Sequence, residues 1–223
     1  MSRAKVEAFY EALEARHPAP RTELEYSNPF TLLVAVVLSA QSTDVGVNKA
    51  TAKLFAEADT PAKMLALGEA RVRAHIKTIG LFNTKAKNVI ALSQLLLELH
   101  GGEVPRSREA LEALPGVGRK TANVVLNEAF GDETCAVDTH IFRVANRTGL
   151  GPGKTPLAVE HAVMAATPKR FRRRAHHWLI LHGRYTCIAR KPKCEACPVA
   201  RSCNWPEKPK TAGSVAVHPA APS

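Results

Sequence analysis

The stretch from Leu114 to Gly149, LPGVGRKTANVVLNEAFGDETCAVDTHIFRVANRTG, restricts this chain more than any other. It places a primary amine, Lys120, in the first turn of a helix entered through two glycines, and an acid, Asp138, at the start of a second helix. Gly116 and Gly118 let the chain turn tightly and bring bare backbone N–H groups against a ligand, because no Cβ intervenes. Amides at a helix N-terminus, with the positive end of the dipole behind them, suit a phosphate. An amine at that same positive end is a candidate nucleophile. The segment therefore reads as a grip for DNA phosphates built beside a nucleophilic amine.

Charge points the same way. The 223 residues carry a formal net charge of +11, which favours a polyanionic partner. Twelve lysines and arginines against two acids fall between His161 and Lys210, whereas the remainder holds nineteen against eighteen. A basic face is expected mainly from the C-terminal third. No run of about eighteen apolar residues is present, so no membrane span is expected. Glu7, Glu11 and Glu14 interrupt any apolar core of a signal peptide. A cytoplasmic, nucleoid-associated protein is expected.

Helix signals recur and strand alternation does not. Val6, Phe9, Tyr10 and Leu13 repeat at helical spacing between Ser2 and Pro18. Asn28-Pro29 opens PFTLLVAVVLSA, apolar on every side, whose length and cap favour a buried central helix over the strand its valines would also suit. Further starts fall at Thr43 or Asp44, Thr60-Pro61, Asn83, Ser107 and Thr155-Pro156. A last long helix is expected from Arg174 to His182, with Trp178, Leu179 and Leu181 on its apolar side. The expected fold is all-α with roughly ten helices. Residues 208–223, rich in Pro, Ala and Ser, are expected to be a disordered tail.

Cys187, Cys194, Cys197 and Cys203 form a second constellation, spaced C-x6-C-x2-C-x5-C. Disulfides are disfavoured in a cytoplasmic chain with an odd total of five cysteines. Four thiolates fit either zinc or a [4Fe–4S] cluster, and the lone C-x2-C knuckle leans toward iron–sulfur. Cys135 stands apart and reads as an inert buried thiol.

Taken together, the two constellations bring a resemblance into view. LSAQSTDVGVNKATAKLF, IKTIGLFNTKAKNVI, EALPGVGRKTANVVLNEAFG, AVDTHIFRVANRTG and HHWLILHGRYTCIARKPKC, with the cysteine spacing, resemble the endonuclease III family of helix-hairpin-helix DNA glycosylases. The likeness runs from about Leu24 to Cys203. It implies two helical domains with a DNA cleft between them. One is a six-helix domain over 22–132; the other is a discontinuous iron–sulfur domain over 1–21 and 133–207. It also implies a [4Fe–4S] cluster on the four cysteines. The implied partner is double-stranded DNA holding damaged pyrimidines or abasic sites, met by a monomer.

Site roles follow from the resemblance residue by residue. Lys120 would attack C1′ and form a Schiff base, and Asp138 would stay ionised beside it; as a residue type Asp138 is also a good N-cap. Gln41 and Leu81 would fill the hole left by a flipped base, with ordinary helix-terminal packing as the competing reading of each. Ser39 and Asp44 would line a base pocket, Asp44 being equally a plain cap. His140 would serve the pocket or the core. Arg119, Arg184, Arg190, Lys191 and Lys193 would meet phosphates, with Gly116 and Gly118 presenting amides. A related glycosylase specific for pyrimidine dimers, and a non-enzymatic helix-hairpin-helix module, stand as the other readings.

Overall fold

The computed structural model describes residues 1–214, which form eleven helices and no strand. In chain order these are α1 (Arg3–Arg16), α2 (Pro29–Ser39), α3 (Asp44–Glu57), α4 (Pro61–Leu67), α5 (Glu69–Ile76) and α6 (Phe82–His100), followed by α7 (Arg108–Glu112), α8 (Arg119–Phe130), α9 (Thr139–Thr148), α10 (Pro156–Ala166) and α11 (Lys169–Tyr185). The chain divides into two compact units, one over Thr22–Asp132 and one combining Met1–Arg21 with the chain from Glu133 onward. Among the described residues, no helix is long and apolar enough to cross a membrane.

The unit over Thr22–Asp132 is built round α2. The Asn28 side chain accepts from the Thr31 amide at 2.9 Å, and the Thr31 hydroxyl accepts from the Asn28 amide at 3.0 Å. This reciprocal cap, with Pro29 presetting φ at the first helical position, starts a helix where valines alone would allow a strand. Every residue from Phe30 to Leu38 is buried, and α3, α6 and α8 pack around them. Truncating a leucine there to alanine costs about 2–5 kcal/mol. This unit holds seven helices, not the six expected. The addition is α5, which starts at Gly68 with φ 78° and no side-chain cap, and buries only Val72 and Ile76. Neither a capping residue nor a full apolar stripe announces it.

The second unit packs α9 against α10 and α11, and α1 against α11. Tyr10 stacks on Phe171 with ring centroids 5.3 Å apart, and its hydroxyl lies 2.7 Å from that of Thr167. The Trp178 indole N–H donates to the His17 carbonyl at 2.8 Å. Helix α11 begins at Lys169, earlier than the expected Arg174, because Phe171 and Ala175 already face the core from within a basic run. Leu181 is only half-buried, and His182 takes the inward position beside Leu179.

The basic run itself is turned to internal ties. Arg170 pairs with Glu7 and Glu11 of α1, Arg172 reaches the Thr167 carbonyl, and Arg174 donates to the Pro18 carbonyl. The expectation of disorder from Lys208 onward fails for 208–214. Lys208 Nζ donates to the Ala200 and Cys203 carbonyls at 2.8 and 2.6 Å, and the Gly213 amide donates to the Cys194 carbonyl at 2.8 Å. Hydrogen bonding onto the cysteine loop supplies the order that apolar burial does not. Residues 215–223 lie outside the described residues.

Candidate active site and cysteine loop

Within the Thr22–Asp132 unit, the hairpin between α7 and α8 is closed by the Val117 amide donating to the Leu114 carbonyl at 3.1 Å. Its two glycines do different work. Gly116 has φ 78°, and a Cβ there would meet the Asn88 side chain at 2.8 Å, so both backbone and packing demand glycine. Gly118 is in extended backbone, and a Cβ there would meet nothing within 4 Å. Its bareness serves no internal contact and keeps the space beside the start of α8 clear. No side chain caps α8, in contrast to α2, α3, α7 and α9. Lys120 stands exposed at the second position of this uncapped end, next to a half-buried Arg119.

Gln41 and Leu81 occupy the turns after α2 and before α6. Both are exposed and both adopt left-handed backbone, with φ 55° and 57°. A bulky side chain at positive φ is a genuine outlier, costing on the order of 1–2 kcal/mol. Such strain collects where a ligand is met. Leu81 is 58% exposed, a large apolar side chain held out from the core. Ser39 is half-buried and donates to the Val36 carbonyl at 2.8 Å. Thr43, not Asp44, caps α3 by accepting from the Gly46 amide at 3.1 Å, so the cap reading of Asp44 is corrected.

In the other unit Asp138 begins α9, its Oδ1 accepting from the Ile141 amide at 2.8 Å. One carboxylate oxygen does the capping, and the second takes no part in that bond. His140 is half-buried, with Nδ1 3.2 Å from Arg143 Nη2. Helix α11 presses so close that a Cβ at Gly183 would meet His140 Cβ at 2.8 Å. Arg184 is half-buried on the last turn of α11, whereas Arg190, Lys191 and Lys193 are all exposed. Lys191 is the third non-glycine residue at positive φ among the described residues, at 51°.

Two arginines that sequence reasoning missed hold this loop. Arg143 donates to the Cys187 and Gly183 carbonyls at 2.9 and 2.7 Å. Arg147 reaches the Ile188 and Ala189 carbonyls at 2.8 and 3.1 Å, and Cys187 Sγ at 3.6 Å. Their i, i+4 spacing on α9 was the available signal. Arg147 also lies 4.8 Å from the centroid of the Trp205 ring. Cys135 is fully buried, and burial pushes its thiol up to about 12.

Comparison with known proteins decides the family. The pattern described as HhH-GPD superfamily base excision DNA repair protein matches residues 34–169, and the iron–sulfur binding domain of endonuclease III matches 187–203. Endonuclease III of Escherichia coli (strain K12) is 59% identical over 208 residues, which is 93% of this chain and 99% of that protein. A trapped endonuclease III–DNA covalent intermediate superposes with a TM-score of 0.84 at 41% identity, covering 92% of this chain and 96% of that one. A non-covalent endonuclease III–DNA complex gives 0.85 at the same identity and the same coverage of both chains. The chain belongs to the endonuclease III family. It is a base-excision repair DNA glycosylase and abasic-site lyase whose substrate is DNA, and it carries an iron–sulfur cluster.

The cysteine loop of this endonuclease III family member suits a [4Fe–4S] group. All four thiols line one pocket with about 350 Å³ of empty space, part of it open to solvent, and no carboxylate lines it. The sulfurs surround a space, as a multi-atom cluster needs. Donors already face the sulfurs: Arg147 on Cys187, and the Trp205 amide on Cys203 at 3.4 Å. Burial pushes the Cys187 and Cys194 thiols up and Cys197 to about 12. Ligation as thiolates therefore releases protons.

Proposed function

We propose that this enzyme, acting as a cytoplasmic monomer, removes oxidised pyrimidines from duplex DNA and cuts the resulting abasic site by β-elimination. What carries the reading is Lys120, exposed at the uncapped N-terminus of α8 behind two bare glycines. A pyrimidine inside the stack is out of reach, so the nucleotide is flipped out at a cost of a few kcal/mol. Gln41 and Leu81 fill the gap. Backbone amides around Gly116 and Gly118 take the neighbouring phosphate.

The neutral Lys120 amine attacks C1′, the C1′–N bond breaks, and the base leaves with the bonding electrons and gains a proton. Opening of the sugar ring then gives an imine between Lys120 Nζ and C1′. The imine acidifies the C2′ hydrogens. Loss of one as a proton breaks the C3′–O bond and expels the 3′ phosphate, and water frees the lysine. Asp138 supplies a fixed carboxylate that stabilises positive charge developing on the sugar and takes part in the proton transfers. One carboxylate oxygen can hold α9 in place while the other acts.

Cys187, Cys194, Cys197 and Cys203 are the ligands we assign to the cluster, whose part is structural: it pins the loop that offers Arg190, Lys191 and Lys193 to DNA phosphates. The test is cleavage of duplexes each carrying one defined lesion, with wild type and Asp138→Asn. Wild type is expected to excise thymine glycol, 5-hydroxycytosine and dihydropyrimidines. Asp138→Asn, which still caps α9, is expected to lose at least about a hundredfold in excision with a melting temperature within a few degrees. Action on pyrimidine dimers alone would overturn the substrate class. Full activity with a lowered melting temperature would reduce Asp138 to a cap.

A further inference from the structure

A buried lysine is an expensive way to fill a helix face, and α6 has one. Lys85 lies on the inward stripe with Ala86, Val89 and Leu92, and is 4% exposed. An apolar side chain would pack there without desolvating an ammonium. Burial pulls its pKa below the usual lysine range. The hydrogen bond it makes is to a neutral hydroxyl, Ser42 Oγ at 2.9 Å.

That bond spans forty-three residues and ties together the two strained turns. Ser42 follows Gln41, and Lys85 stands one helical turn after Leu81, its amide donating to the Leu81 carbonyl at 3.0 Å. A helical side chain leans back over the preceding turn, which directs Lys85 toward the Leu81 turn. The turns also lie close together at Gly80, where an added Cβ would be 3.7 Å from the Gln41 carbonyl oxygen. One turn further along α6, Asn88 abuts Gly116 of the hairpin. The first turns of α6 thus meet the Gln41 turn, the Leu81 turn and the phosphate hairpin.

We propose that Lys85 is a positioning residue, locking the Gln41 and Leu81 turns into one rigid platform that enters the DNA as a unit. The idea rests on the reading above that Gln41 and Leu81 insert. Its consequence is energetic coupling: each inserted side chain depends on the other being held in register, and the coupling runs through the Lys85–Ser42 bond.

The test uses the full-length, iron-loaded protein and a duplex with a stable tetrahydrofuran abasic analogue opposite 2-aminopurine, whose fluorescence rises when it is unstacked. Gln41→Ala and Leu81→Ala are expected each to lower the rise. Lys85→Met is expected to lower it with both side chains present, to cut kcat on a lesion duplex about tenfold with KM within about twofold, and to abolish the coupling between Gln41→Ala and Leu81→Ala. Ser42→Ala, which leaves the buried core untouched, is expected to act in the same direction and to add nothing to Lys85→Met. If Gln41→Ala and Leu81→Ala leave the rise unchanged, the insertion reading fails and takes this inference with it. If they lower it while Lys85→Met or Ser42→Ala preserves both rise and coupling, the inference alone is overturned.

Discussion

The turns holding Gln41 and Leu81 and the loop holding Lys191 present left-handed, exposed residues by different means. The turns are fixed from inside, by short connections between packed helices and one buried lysine. The loop has little apolar packing of its own. It is held at its carbonyls by Arg143 and Arg147, at its far side by Lys208 and Gly213, and at its sulfurs by whatever the four cysteines ligate. On the proposed reading, side chains of opposite character are presented: a polar–apolar pair to enter the base stack, and cations to reach phosphate. Insertion tolerates little play, so rigidity is built into the core of a helical unit. Backbone contact is more forgiving, and there a cofactor stands in for a core.

The largest expected effect breaks the two regions apart. Cys194→Ser is expected to lose iron and visible absorbance. Amide exchange across 187–213 is then expected to rise toward that of a frayed loop, while protection around 41 and 81 stays at the wild-type level. Loss of protection in both regions at once would mean that they are not independently held.

A smaller effect sharpens what the strain is for. Leu81→Gly removes the side chain and relieves the φ of 57°. Relief of about 1–2 kcal/mol against about 0.5–1 kcal/mol for the extra chain entropy of glycine leaves stability equal or up to about 1.5 kcal/mol higher. Excision is nonetheless expected to fall at least about tenfold. Chemical denaturation and single-turnover kinetics on one preparation separate the two. Undiminished excision would make Leu81 mere helix-terminal packing.

Lys191→Ala is the mildest. Phosphate contacts are indifferent to sequence, so binding to damaged and undamaged duplex is expected to weaken by similar factors. The slope of log K against log salt flattens by about 0.9, with iron content unchanged. An unchanged slope would move the backbone contact to Arg190 or Lys193.

How far these regions could be read from sequence follows the same division. Helix α2 was legible because Asn28 and Pro29 announce its start locally, and the cysteine spacing announces a thiolate site by count alone. Helix α5 was not, since a glycine begins it. Lys85 could have been flagged as the one charge in phase with Ala86, Val89 and Leu92, but its partner forty-three residues away could not. Composition marked 208–214 as disordered. It cannot show that the Lys208 ammonium meets two carbonyls whose positions the cysteine loop sets. The left-handed backbone at Gln41, Leu81 and Lys191 leaves no trace in residue type; the resemblance pointed to the first two positions, and the cations between Cys187 and Cys194 to the third.

The central claim is that Lys120 is the nucleophile. Borohydride trapping on a duplex with a single thymine glycol tests it most directly, followed by peptide mapping of the adduct. Wild type is expected to give one covalent complex, cross-linked at Lys120. Lys120→Gln is expected to give none while binding the same duplex within a few-fold of wild type. An adduct mapped to another amine, or wild-type yield from Lys120→Gln, would contradict the account.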